Sequence, residues 1–102
     1  MTQNTALDSR QACDLYVNFV KKIDIVQEVR RIETGEGVAI WTIISAPPFE
    51  DDLRDPIYDA QIEVFQRLDR HIVGFRVLNV REYPEDSLDK IVPLDSQVVW
   101  KR

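Results

Sequence analysis

The densest cluster of functional groups in this chain is acidic: Glu50, Asp51 and Asp52, followed by Asp55 and Asp59. Hard cations take several oxygen ligands, and Asp55 and Asp59 stand one helical turn apart. The segment lacks the glycine and the ligand spacing of a calcium loop. The same carboxylates also suit the positive end of a helix that begins at Asp55-Pro56. His71 is the sole histidine and falls where that helix ends, a place where imidazole bonds the last carbonyls. As a general base it would need an Asp or Glu to orient it. Cys13 is the sole cysteine. A nucleophilic thiolate requires a lowered pKa, and only His71 offers the base for a Cys/His pair. Zinc wants three or four ligands, which one His and one Cys far apart in sequence do not begin to supply.

Arg30, Arg31, Arg67, Arg70, Arg76 and Arg81 are spread over several elements. Arg76 lies between Phe75 and Val77 in an otherwise apolar run. Buried there, it would need a carboxylate, which the acidic segment can provide. If Arg76 and Arg81 share a sheet face with Arg30, they form a basic strip for a phosphate or a carboxylate. A ligand-binding reading therefore rests on Asp51, Asp52, Arg76 and His71. A second surface is suggested by Val98, Val99 and Trp100, a short apolar strand beside Lys101 and Arg102. Its open edge invites a partner strand, a second copy of the chain included. Glycine-rich phosphate loops, G-x-S-x-G, H-E-x-x-H and C-x-x-C do not occur. The pattern implies no cofactor and no metal.

These residues must be positioned by a chain of 102 residues, the size of one domain. Its hydrophobic fraction of 44% is that of an ordinary soluble fold, which makes a packed core the expectation. The formal net charge is −5, so nucleic acid and anionic lipid are poor partners and basic proteins are better ones. Residues 1–7 are polar and read as a flexible tail rather than a signal peptide. No apolar stretch reaches the length of a membrane span. A lone cysteine fits the reducing cytoplasm.

The elements follow from periodicity. Asp8 is placed to cap a helix, with Gln11 completing a capping box. Ala12, Leu15, Tyr16, Phe19 and Ile23 form its apolar face, with Lys21 and Lys22 in the last turn. Residues 24–33 read as strand or helix; the turn signal Thr34-Gly35-Glu36-Gly37 favours strand, as in a hairpin with a bulged loop. Residues 38–45 are apolar on both faces, as in an interior strand. A second helix, capped by Asp55, runs to about Asp69 with Ile57, Ala60, Val64, Leu68 and Phe65 inward. Tyr58, Phe65, Trp41, Phe75 and Trp100 read as core aromatics. Residues 72–83 make a third strand, 85–91 a short helical turn, and 98–100 a final strand.

The sequence thus predicts an α+β domain over residues 8–102, in the order α-β-β-α-β-β. A mixed or antiparallel sheet of about four strands carries two main helices. The functional expectation is a small cytoplasmic interaction or regulatory module without catalytic activity, homodimeric or a subunit of a complex. The alternative is a small-molecule- or metal-binding protein, or an enzyme, built on the acidic segment with Arg76 and His71.

Overall fold

Asp8 opens α1 (Ser9–Val20) with a reciprocal capping box: the Gln11 amide donates to Asp8 Oδ1 at 2.8 Å, and the Asp8 amide donates to Gln11 Oε1 at 3.1 Å. In the computed structural model, the described residues are 8–35, 37–47, 50–68, 73–82, 91–93 and 95–102, with Asp51 described by its backbone. The expected tail (1–7), His71 and most of the helical turn at 85–91 lie outside them. The helix ends at Val20, so Lys21 is its C-cap and neither lysine stands in the last turn. Its buried face is Ala12, Cys13, Tyr16 and Val20, with Leu15, Phe19 and Ile23 half-buried beside it. The true stripe is thus rotated toward Cys13 and Val20.

Strands β1 (Val26–Glu33) and β2 (Val38–Ile44) form the expected hairpin. The Thr34 and Gly37 backbones exchange hydrogen bonds of 2.8 and 3.4 Å, and the Gly37 amide also donates to Thr34 Oγ1 at 3.0 Å. The irregularity lies in the strand rather than the turn: the register shifts between Val26 and Glu28. This bulge has a packing reason. Residues three apart on a regular strand point to opposite faces. With the extra residue, Val26 pairs with Ile44 and Val29 with Thr42, so both valines reach the same buried face.

The acidic segment forms a 3-10 turn, Asp51–Arg54, that runs straight into α2 (Asp55–Phe65). The residue at the N-cap position is Arg54, and no side chain caps the helix. Asp55 is therefore a first-turn residue, favourable to the helix dipole rather than a cap. α2 is shorter than expected because it gives way to turns at 66–67. Ile57, Ala60 and Val64 are buried, but Phe65 is 61% and Tyr58 41% exposed, so neither is the core residue that helical spacing suggested.

α2 carries the chain across to β3 (Val73–Asn79), which lies parallel to β2. β3 stops before Val80 for a local reason: Asn79 Oδ1 accepts the Arg81 amide at 3.2 Å, which turns the backbone into a 3-10 segment, Val80–Glu82. β4 (Gln97–Lys101) pairs antiparallel with β1 through a second bulge. The sheet order is β3-β2-β1-β4, a mixed sheet with β2 in its interior. Together with the two helices this is an α+β fold in the order α-β-β-α-β-β.

Two clusters fill it. The main core joins α1 and α2 to one face of the sheet through Tyr16, Val20, Val26, Val29, Ile40, Ile44, Ile57 and Val64. A smaller one, Ile43, Leu78 and Val92 with Trp41, Val80 and Ile91, covers one end of the opposite face. Within the main core the Tyr16 hydroxyl and Thr42 Oγ1 bond at 2.5 Å, and the Tyr16 ring lies 5.0 Å from that of Phe75. A hydroxyl pair satisfied in this way spares the core an unpaired polar atom. Arg102 ties β4 to the α1–β1 corner, its Nε donating to Val26 O at 2.9 Å and its Nη2 to Lys21 O and Ile23 O.

Candidate interaction surface

The outer face of α2 carries Tyr58, Ile62 and Phe65, at 41%, 56% and 61% exposure. Their spacing of four and three residues stacks them into one stripe along the helix. The inward stripe of Ile57, Ala60 and Val64 is separate, so α2 is apolar on two faces. Apolar residues scattered singly over a surface need no explanation; three stacked along one helix make a candidate interaction surface. Asp55 and Asp59, each three residues before a member of the stripe, border it and are exposed. Neither has an ion pair among the described residues. Glu63 is neutralised by Arg67 at 2.7 Å. The unpaired charge bordering the stripe is therefore negative.

The acidic segment does not gather into a pocket with the other expected ligand-binding residues. Asp52 is exposed, while Leu53 packs on the main core. Arg54 is taken by Glu82 at 3.0 Å rather than by a neighbouring aspartate. Arg76 is exposed on the sheet face opposite the helices, and no hydrogen bond or ion pair joins it to Asp52. Asp51's side chain and all of His71 lie outside the described residues. Among the described residues no three His, Cys, Asp or Glu side chains come together as metal ligands would.

β4 stands last in the sheet order, as the edge-strand expectation requires. Val98 is 48% exposed, whereas Val99 and Trp100 are half-buried and pack against the main core. The Arg102 guanidinium lies 5.2 Å from the Trp100 ring centroid. The bulge and the exposed Lys101 make this edge a poorer template than its apolar sequence suggests. A polar hollow of about 340 Å³ opens nearby, lined by Arg31, Ile32, Glu33, Asp95 and Gln97. Its one cation already bonds Glu33 at 2.9 Å, and with Asp95 its lining carries two carboxylates to one guanidinium.

Sequence reasoning missed the buried polar residues. Glu28 is buried in β1 and ion-paired to Arg30. Asn79 donates to Ala46 O at 2.9 Å and accepts the Ala46 amide at 3.1 Å. Cys13 is buried and free. Burial pushes its thiol above the usual range, outweighing the opposite pull of Arg31. That is the reverse of what a nucleophile needs. Burial likewise raises the Tyr16 phenol, against the lowering effect of its bonds to Thr42 and Gln61. Both groups then hold their protons longer folded than unfolded. Their contribution to stability is full below the unfolded pKa and is lost as pH rises through the folded one. Stability should decline above about pH 8.5, where unfolded thiols ionise, and further above about pH 10 for the phenol. Urea titrations at stepped pH check this: Cys13→Ala should remove the first decline and Tyr16→Phe the second.

No helix among the described residues is long and apolar enough to cross a membrane. Set against known proteins, the chain matches no family model, no curated protein and no solved structure.

Proposed function

We propose that this chain is a protein-interaction module without chemistry of its own, which docks a basic, apolar-bearing segment of another protein on the outer face of α2. The observation that carries this reading is the Tyr58–Ile62–Phe65 stripe. Large aromatic and aliphatic side chains supply the anchors of protein interfaces. The choice of partner follows from charge. Asp55 and Asp59 border the stripe unpaired, and the nearby cation Arg67 is already held by Glu63. A second copy docked through the same stripe would bring more carboxylate, and the cation beside that stripe, Arg67, is already paired. A partner carrying Lys or Arg beside its apolar residues complements it. The net charge of −5 favours the encounter with such a partner. The compartment proposed is the reducing cytoplasm, in keeping with a single free cysteine. Self-association, where it occurs, is assigned to the β4 edge at Val98, which lies apart from α2 in the sequence and on the opposite side of the sheet from the helices.

The test is native mass spectrometry of the untagged protein gently purified from its own cells. The wild type should carry a second polypeptide that dissociates as salt is raised. Ile62→Glu should lose it, and Lys22→Glu, at an exposed turn position just past α1, should keep it. Ile62 is exposed, so this variant should fold with stability within about 0.5 kcal/mol of wild type. Retention of the companion by Ile62→Glu, or a wild type that is purely monomeric, would overturn the docking site. A homodimer alone would transfer the interaction to the β4 edge.

A further inference from the structure

The sheet face turned away from the helices carries an arrangement that the α2 surface does not explain. Across three strands, Arg30 of β1, Trp41 of β2 and Arg76 of β3 are paired in register, side by side on that face. The alternation of the strands agrees: Trp41 packs with Ile43 and Leu78 in the smaller cluster, while Phe75 and Val77, on either side of Arg76, pack in the main core. With strands about 4.8 Å apart, the two arginine backbones stand about 10 Å apart with the indole between them.

The two cations are not equivalent. Arg30 is ion-paired to Glu28 on the same face. Arg76 is exposed and makes no ion pair or hydrogen bond among the described residues. Next to this row comes one of small and apolar residues, Ile32, Ala39 and Gly74, again paired in register. A Cβ placed on Gly74 would meet nothing within 4 Å. The far end of the same face is closed by Val92 and Ile91. The result is a shallow trough with a low floor at Ala39 and Gly74, an indole along one side, and one unpaired guanidinium at the end of the row.

We infer that this trough binds a planar organic anion, a ring lying over Ala39 and Gly74 against Trp41, its carboxylate or phosphate held by Arg76. An arginine fork matches the oxygens of either group in two-point fashion, and an indole offers an apolar flank to a flat ring. Glu28 and Arg30 cancel each other, so Arg76 sets the sign of the ligand.

The test titrates uniformly ¹⁵N-labelled protein with benzoate and, separately, phenyl phosphate, following the tryptophan indole and arginine Nε–H signals. Cyclohexanecarboxylate serves as the non-planar control. Trp41 and Arg76 signals should move together and saturate in the millimolar range, while Trp100 stays fixed. The stronger of the two aromatic probes identifies the oxyanion. Arg76→Gln should weaken binding about tenfold, the loss of one charge-assisted contact. Gly74→Leu should fill the trough and abolish binding. The space at Gly74 is open and its backbone lies outside the left-handed region, so this variant should keep the wild-type amide spectrum elsewhere. Absence of any Trp41 shift up to about 20 mM of either aromatic probe, well beyond the affinity of a two-contact site, would overturn the proposal. So would equal binding by Arg76→Gln, or equal shifts with cyclohexanecarboxylate.

Discussion

Arg30→Met should destabilise the protein by about 3–5 kcal/mol, measured by urea unfolding. Glu28 is buried, with its side chain 8% exposed, and Arg30 is its ion-pair partner. Removing the guanidinium leaves a carboxylate shielded from water without its ion-pair partner; Lys101, opposite it on β4, is exposed and makes no ion pair with it. The cost then comes from the stranded partner rather than from the contact itself. Removing both charges should reverse most of the loss, so Glu28→Gln with Arg30→Met should be more stable than Arg30→Met alone. Domains of this size have a total stability of about 5–15 kcal/mol, so the single variant should stand near its unfolding threshold at room temperature. A single variant within about 0.5 kcal/mol of wild type would show that water reaches Glu28 and that the pair is a surface contact.

Asn79→Ala should be the next most damaging change, at about 2–5 kcal/mol. The Asn79 amide both donates to and accepts from the backbone of Ala46, and Ala46 is 1% exposed. Alanine leaves a buried N–H and a buried C=O without partners, each costing about 1–3 kcal/mol. It also removes the acceptor that turns the backbone at Arg81. Asn79→Asp separates these effects: it keeps the acceptor for the Ala46 and Arg81 amides but sets a buried carboxylate oxygen against Ala46 O and near Glu82 Oε1, so it should be no more stable than alanine near neutral pH. Hydrogen exchange at the Ala46 amide reads the local consequence. Fast exchange is expected in Asn79→Ala, and slow exchange there would contradict the clamp.

Features decided by neighbours in sequence were legible before the fold was known. The Asp8–Gln11 capping box and the Thr34–Gly37 turn depend on residues three apart; the box forms as expected, and the hairpin turns at the expected residues, with its bulge in β1 instead. The run of residues 38–44, apolar on both faces, places β2 inside the sheet for the same reason. Residues 24–33 were ambiguous because Val26 and Val29 are spaced as on a helix. Only the bulge opposite Ile44 and Ile43 lets a strand bury both, and a bulge is settled by the pairing strand. Glu28 with Arg30, and Asn79 with Ala46, were missed because nothing local marks a polar residue as buried. The outer stripe of α2 did leave a signal: Tyr58, Ile62 and Phe65 are helically spaced. Placing Phe65 and Tyr58 in the core hides it, yet a helix with one side on a sheet cannot bury two stripes. Arg30 and Arg76 share a sheet face, as a basic strip requires. Arg81 instead bonds Ser45 Oγ at 2.8 Å from the turn after β3. That Trp41 falls between the two depends on register across three strands, which no single segment encodes.

The most direct test of the α2 docking surface is to place a photo-crosslinking amino acid at position 62 in cells, with position 18 on α1 as the control. Asn18 is exposed as Ile62 is, but it stands on the other helix. The account predicts an adduct at position 62 and none at 18, with the linked peptide from another protein and carrying Lys or Arg beside apolar residues. It should be lost when Asp55 and Asp59 are both changed to Lys. No adduct at position 62, equal adducts at both positions, or a linked peptide from this same chain would contradict it.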